Sequence, residues 1–172
     1  EMLPVQNYVA GKMQAYDAIF YMGAYYDNPL PAAFLADVMA TPKTVVWFKY
    51  NLWQLAWNPA YAFQSKFGFN FASLRGLNAV PTAANPAPGF FDTITYKSKP
   101  FVKYYTFNGA TGAVNADPDI GVTTISDATK ATTLVPVTNP KTGETVPYVL
   151  RSGNFWYVAD MPFSFIGPRD RY

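Results

Sequence analysis

A chain of 172 residues with a net charge of +2 fits one domain, or one domain with an appended subdomain. It holds no cysteine and no histidine, which excludes disulfides, thiolate metal sites and a cysteine nucleophile, and removes the commonest general base and metal ligand. Half of its residues are apolar and 18% aromatic, but only 14% are charged, against roughly 25% in an average domain. There is ample core material and, with no basic run longer than two, no electrostatic footprint for nucleic acid.

No window approaches the ~18 uninterrupted apolar residues of a transmembrane helix, and no signal peptide is visible behind Glu1. The expectation is a mature or excised piece. Glu1–Ala15 reads as a lead-in, interrupted by Pro4 and Gly11. Asp17–Met22 is a short apolar strand that stops at Gly23, and a loop follows with Tyr25, Tyr26, Asp27 and Asn28. Pro31 suits the first turn of a helix, where its missing N–H is no loss. The helix is predicted over Ala32–Ala40, with Phe34, Leu35 and Val38 on one face. Thr44–Phe48 is a second β-branched and aromatic strand. Lys49-Tyr50-Asn51 then turns the chain sharply into a helix over Leu52–Trp57, with Asn51 placed to cap it. Two strands joined by a short helix make a βαβ unit and hence a parallel sheet.

Beyond Trp57 the spacing of Phe63, Phe67, Phe69 and Phe71 predicts a short helix and then a strand near Phe67–Phe71, with Gly68 inside it at a close backbone approach. Asn78–Gly89 is a Pro/Ala/Asn stretch that reads as a linker or surface loop. After it the pattern is β: Phe91–Tyr96, Phe101–Phe107, Val122–Ile125, Thr132–Val137, Val146–Leu150 and Phe155–Ala159, with Asn108–Gly121 as loop. Asn139–Gly143 is a turn in which proline fixes φ and glycine accepts a positive one.

A strand followed by a tight elbow into a helix is where α/β proteins often place a nucleophile. Here the elbow holds Lys49, Tyr50 and Asn51, with neither serine nor cysteine. Two readings stand: a binding-only elbow that has lost catalysis, or a plain β-to-α turn. Asp117 and Asp119 lack the further carboxylates and the closing glutamate of a calcium loop. A pair of Asp carboxylates facing each other across roughly 5–9.5 Å would make a hydrolase, and no spacing nominates one. The aromatic residues Tyr25, Tyr26, Trp53, Trp57, Tyr61, Tyr104, Tyr105, Trp156 and Tyr157 are plates able to stack on sugar rings or to fill a core. Trp47 and Trp156 are read as core. Tyr25 and Tyr26 lie at the C-terminal end of a strand, the edge where open α/β sheets bind ligands.

The runs YDAIFYMGAYYDNPLPAAFLADV, TVVWFKYNLWQLAW and YVLRSGNFWYVADMPFSFIGPRDRY resemble a region of bacterial exported proteins described as predicted polysaccharide deacetylases, upstream of their catalytic barrel. The likeness spans most of residues 16–77 and 146–172; the middle portion, 90–145, matches loosely. That region is similar to a class I glutamine-amidotransferase module of flavodoxin-like topology. The resemblance implies an α/β fold with a parallel sheet and a β-rich insertion, divided as 1–77 (core, lacking its first βα unit), 78–145 (linker and insertion) and 146–172 (return to the core and lead-out to a C-terminal domain). It implies that the deacetylase metal ligands and base lie beyond Tyr172. This chain would then be no enzyme by itself and hold no cofactor and no metal. Gly23 matches the oxyanion-loop glycine and Tyr50 the elbow position where an active amidotransferase has cysteine, so the active site is degenerate. The pocket expected from the likeness is lined by Gly23, Tyr25, Asn28, Tyr50 and Asn51, and Tyr26 and Asp27 join them as binding candidates. The expected role is an extracytoplasmic accessory module that binds an amino-sugar polysaccharide beside the barrel of the same polypeptide. A structural scaffold without a ligand is the alternative.

Overall fold

The computed structural model describes residues 1–75, 91, 93–102, 107–108, 113–114, 120–140 and 142–161. The expected linker 78–89, the Asp117/Asp119 pair, Tyr104, Tyr105 and the lead-out from residue 162 lie outside them. Two 3-10 turns, Val5–Asn7 and Lys12–Ala15, precede β1 (Ala18–Gly23). Then come α1 (Ala32–Ala40), β2 (Thr44–Lys49), α2 (Trp53–Ala56), α3 (Phe63–Phe67) and β3 (Phe69–Arg75). The second half is β: β4 (Thr93–Tyr96), β5 (Lys99–Val102), β6 (Phe107–Asn108), β7 (Ala113–Val114), β8 (Ile120–Ile125), β9 (Ala131–Thr138), β10 (Thr145–Ser152) and β11 (Phe155–Val158).

Seven strands form one sheet in the order β1-β2-β11-β10-β9-β4-β5. β2 lies parallel to both β1 and β11, and every other pairing in the sheet is antiparallel. The fold is therefore mixed α/β. Strands β4, β5 and β9, from the segment expected as an insertion, hydrogen-bond into this same sheet. β3 and β8 make a separate antiparallel pair, as do β6 and β7.

Strand alternation sorts the side chains onto two unlike faces. Tyr21, Val45, Trp47, Phe155 and Tyr157 point to one face and are buried. On that face Phe34 of α1 meets the rings of Tyr21 and Trp47, and Phe63 and Phe67 of α3 meet Phe155. The opposite face carries Phe20 and Met22, both exposed, and the half-buried Val46, Phe48, Trp156 and Val158. Trp156 thus departs from its expected core position. β11 pairs Trp156 with Val46 on the outer face, where its ring carries the Arg151 guanidinium at 5.1 Å and borders an open groove with Thr44, Gly153 and Asn154.

Three further expectations are corrected. Gly68 is not within a strand; at φ 71° it closes α3, and its carbonyl accepts the N–H groups of Ser126 and Asp127. The close approach is real, since a β-carbon there would stand 2.7 Å from Lys130 Cβ. Ile120 and Gly121, read as loop, begin β8. Lys99 and Pro100, which lie between the strands expected at Phe91–Tyr96 and Phe101–Phe107, belong to β5.

The lead-in docks on α1. The Tyr8 hydroxyl and the Gly11 N–H both donate to Asp37 at 2.6 Å, and the Tyr8 ring stands edge-on to Phe34. Burial, with the Asp37 carboxylate second, pushes the Tyr8 phenol up to about 12. Burial first and the Asp160 charge second raise Tyr148 and Tyr157, while Tyr21 is raised by burial against the pull of its bonds to Asn51 and Asn28. Unfolded tyrosines release their protons near pH ~10, so above that pH the folded state binds more protons than the unfolded one and stability falls as pH rises. We expect stability to be insensitive to these groups below about pH 9. Across the range from about pH 10 to 12 it should drop, with phenolate absorbance from the buried Tyr148 and Tyr157 appearing only together with loss of far-ultraviolet circular dichroism. Full phenolate titration while the fold persists would contradict the assignment.

Candidate functional site

The C-terminal ends of the three parallel strands converge at Gly23, Lys49 and Val158. Here β2 does not run smoothly into α2. Lys49 has φ 57° and Asn51 φ 71°, both left-handed, on either side of Tyr50. Asparagine tolerates this region better than most residues and lysine does not, so the surroundings must hold the elbow in place.

They do so with buried polar bonds. The indole N–H of Trp47 donates to the Tyr50 carbonyl at 2.8 Å, and the Tyr157 hydroxyl donates to the Lys49 carbonyl at 2.9 Å. Lys49 Nζ stands 3.0 Å from Asp160 Oδ1, with both side chains buried, and the same carboxylate oxygen accepts the Met161 N–H. Asp160 follows β11 by two residues, so the ion pair fastens the ends of the two adjacent parallel strands. Two glycines make room. A β-carbon on Gly23 would lie 2.5 Å from the Phe48 carbonyl oxygen, and one on Gly121 would lie 1.6 Å from the Tyr157 hydroxyl.

Asn51 is fully buried and does not cap α2; Leu52 takes the cap position without a side-chain bond. The amide instead donates to the Tyr21 hydroxyl at 2.8 Å and to the Tyr25 carbonyl at 2.9 Å, tying the elbow to the β1–α1 loop. Its Oδ1 is buried and has no hydrogen-bond partner among the described residues. Gln54 completes the fastening: its Oε1 accepts the Leu30 N–H and its Nε2 donates to the Asn28 carbonyl.

The seven residues nominated from the sequence meet at this edge but divide by exposure. Gly23, Tyr50 and Asn51 are buried. Tyr25 (77%), Tyr26 (59%) and Asp27 are exposed. Asn28 is half-buried and accepts from Gln6 Nε2. The buried three form the frame and the tyrosines the surface. Tyr26 leads outward, its ring 5.0 Å from Trp53, which in turn lies 6.4 Å from the exposed Trp57. Trp57 is held by an indole N–H bond to the Phe71 carbonyl. Sequence reasoning grouped Trp53 and Trp57 only as stacking aromatics. The Lys49–Asp160 pair was missed altogether; its one trace was Asp160 at the end of the run RSGNFWYVAD.

Three other aspartates are engaged structurally: Asp37 with the lead-in, Asp127 in its own turn with Thr129, and Asp160 with Lys49. Among the described residues no cluster of three Asp or Glu could hold a metal, and no described helix is long and apolar enough to cross a membrane. No family model, curated protein or solved structure matches the chain.

Removing one member of a buried ion pair costs about 3–5 kcal/mol, while replacing both by apolar residues is often near neutral. Lys49→Met should therefore lose a few kcal/mol of unfolding free energy in urea, and Lys49→Met/Asp160→Leu should recover much of it. A single variant as stable as the parent would contradict the role given to the pair.

Proposed function

We propose that this chain is a non-catalytic, carbohydrate-binding accessory module that works outside the cytoplasm beside a polysaccharide deacetylase barrel. The observation that carries this reading is the aromatic run Tyr26–Trp53–Trp57, displayed at the C-terminal edge of the parallel strands. Exposed aromatic faces of this kind suit the apolar faces of sugar rings. The polar groups around the run are mostly uncharged (Asn28, Gln54 and Asn58), and Lys49 is buried against Asp160. An amino-sugar polymer, neutral when acetylated and cationic when not, suits a surface that carries the exposed Asp27 next to Tyr26.

The amidotransferase likeness is kept for the parallel unit of β1, α1, β2 and β11. Tyr50 stands at the elbow where such an enzyme has its cysteine, buried and in edge-on contact with Tyr26 at 5.9 Å. A phenol in that position is no acyl-transfer nucleophile without a base to activate it, which supports a scaffold that keeps the elbow for shape.

Isothermal titration with hexamers of N-acetylglucosamine and of glucosamine should give a binding heat for at least one of them. Trp57→Ala should weaken it by about tenfold, equivalent to ~1.4 kcal/mol, as expected of a central aromatic anchor. Absence of heat with these and with the corresponding galactosamine oligomers would overturn the reading.

A further inference from the structure

The two edges of the seven-stranded sheet are protected very differently. β5 ends the sheet on one side and carries Lys99 and Pro100, both exposed. A charge and a proline on an edge strand are the usual means of blocking further strand addition. β1 ends the sheet on the other side. Its residues, Ala18–Gly23 (AIFYMG), include no charge and no proline, and its pairing with β2 runs through six consecutive partners without a bulge. Among the described residues no strand pairs with its outer edge. Beside that edge the outer face exposes Phe20 at 64% and Met22 at 43%. The inner side of β1 is already filled by α1, on which the lead-in is docked through Tyr8 and Gly11.

We infer that β1 is the contact strand of a two-fold symmetric dimer of this chain, pairing antiparallel with β1 of a second copy about an axis through Phe20. This inference stands apart from the proposed glycan site. The sequence of β1 is self-complementary in that register. Antiparallel partners share a face of the sheet, so Phe20 meets its own copy and Ala18 meets Met22 on the outer face. Ile19 meets Tyr21 on the inner face, a β-branched residue against an aromatic one, a favourable cross-strand pair. Asp17 falls opposite Gly23 of the second copy, so no like charges face each other. A closed two-fold contact covers the β1 edge of both copies and, among the described residues, leaves the two β5 strands, each with its lysine and proline, at the ends of the joined sheet. One strand pair is a small interface, which places the dimer among weak associations.

The absence of cysteine makes the test clean. Sedimentation of the full chain should show concentration-dependent growth from 19.1 kDa towards twice that mass in the micromolar range. Phe20→Lys, a change at an exposed position, should stay monomeric with unchanged circular dichroism. Under mild oxidation Phe20→Cys should cross-link to itself, because directly opposed β-carbons lie within disulfide reach. Ala18→Cys should not, since two such residues would be about 13 Å apart along the strands. A parent that remains at 19.1 kDa up to its solubility limit, or a Phe20→Lys variant that still dimerises, would overturn the inference. Cross-linking of Ala18→Cys as efficient as that of Phe20→Cys would overturn it as well.

Discussion

The site depends on the elbow at Lys49–Asn51. Two non-glycine residues held left-handed within three positions cost of order 1–3 kcal/mol each, and such a turn persists only if its surroundings leave no cheaper alternative. Trp47 and Tyr157 donate to the Tyr50 and Lys49 carbonyls, Asp160 binds the Lys49 ammonium, and the Asn51 amide reaches forward to Tyr21 and Tyr25. These partners come from β1 and the loop after it, from β2 itself, and from β11 and its continuation. The elbow can therefore form only when β1, β2 and β11 are all in register, and its geometry in turn fixes where α2 starts and where Trp53 and Trp57 are displayed. Sequence, register and surface are linked at this one point.

The rest of the sheet has a simpler logic. The helices α1 and α3 pack on the same face, and the β3–β8 pair reaches that face through Gly121, which lies against the Tyr157 hydroxyl. Parallel strands are usually covered on both sides; here the second side keeps Phe20 and Met22 exposed. That asymmetry separates two surfaces on one small fold: an aromatic run built over the strand ends, and an apolar edge and face built along β1.

Much of the first half was legible because its signals are local. Ala32–Ala40 was read with its observed bounds, since Pro31, the Phe34/Leu35/Val38 stripe and the Thr41-Pro42 break act within a single element. β1 and β2 were read to within a residue at their ends for the same reason. The residues that failed are those whose role depends on a distant partner. Asn51 looks like a helix cap in sequence, but Tyr21, thirty residues earlier, offers it a buried bond. Trp156 looks like core until its register with Val46 assigns it to the outer face. The Lys49–Asp160 contact spans a sequence separation of 111 residues, and no periodicity in either strand marks it. Likewise the order of the sheet, in which β11 returns beside β2, is a long-range choice that strand patterns alone do not encode.

The proposed binding of glycan to the aromatic run supported by the elbow is tested most directly with the four tryptophan indole N–H resonances as separate reporters. In a titration with glucosamine or N-acetylglucosamine hexamers followed by nuclear magnetic resonance, Trp53 and Trp57 should shift while the buried Trp47 and the outer-face Trp156 hold still. If Trp53 and Trp57 do not move, or if Trp156 moves in their place, glycan does not bind at the aromatic run beside the elbow.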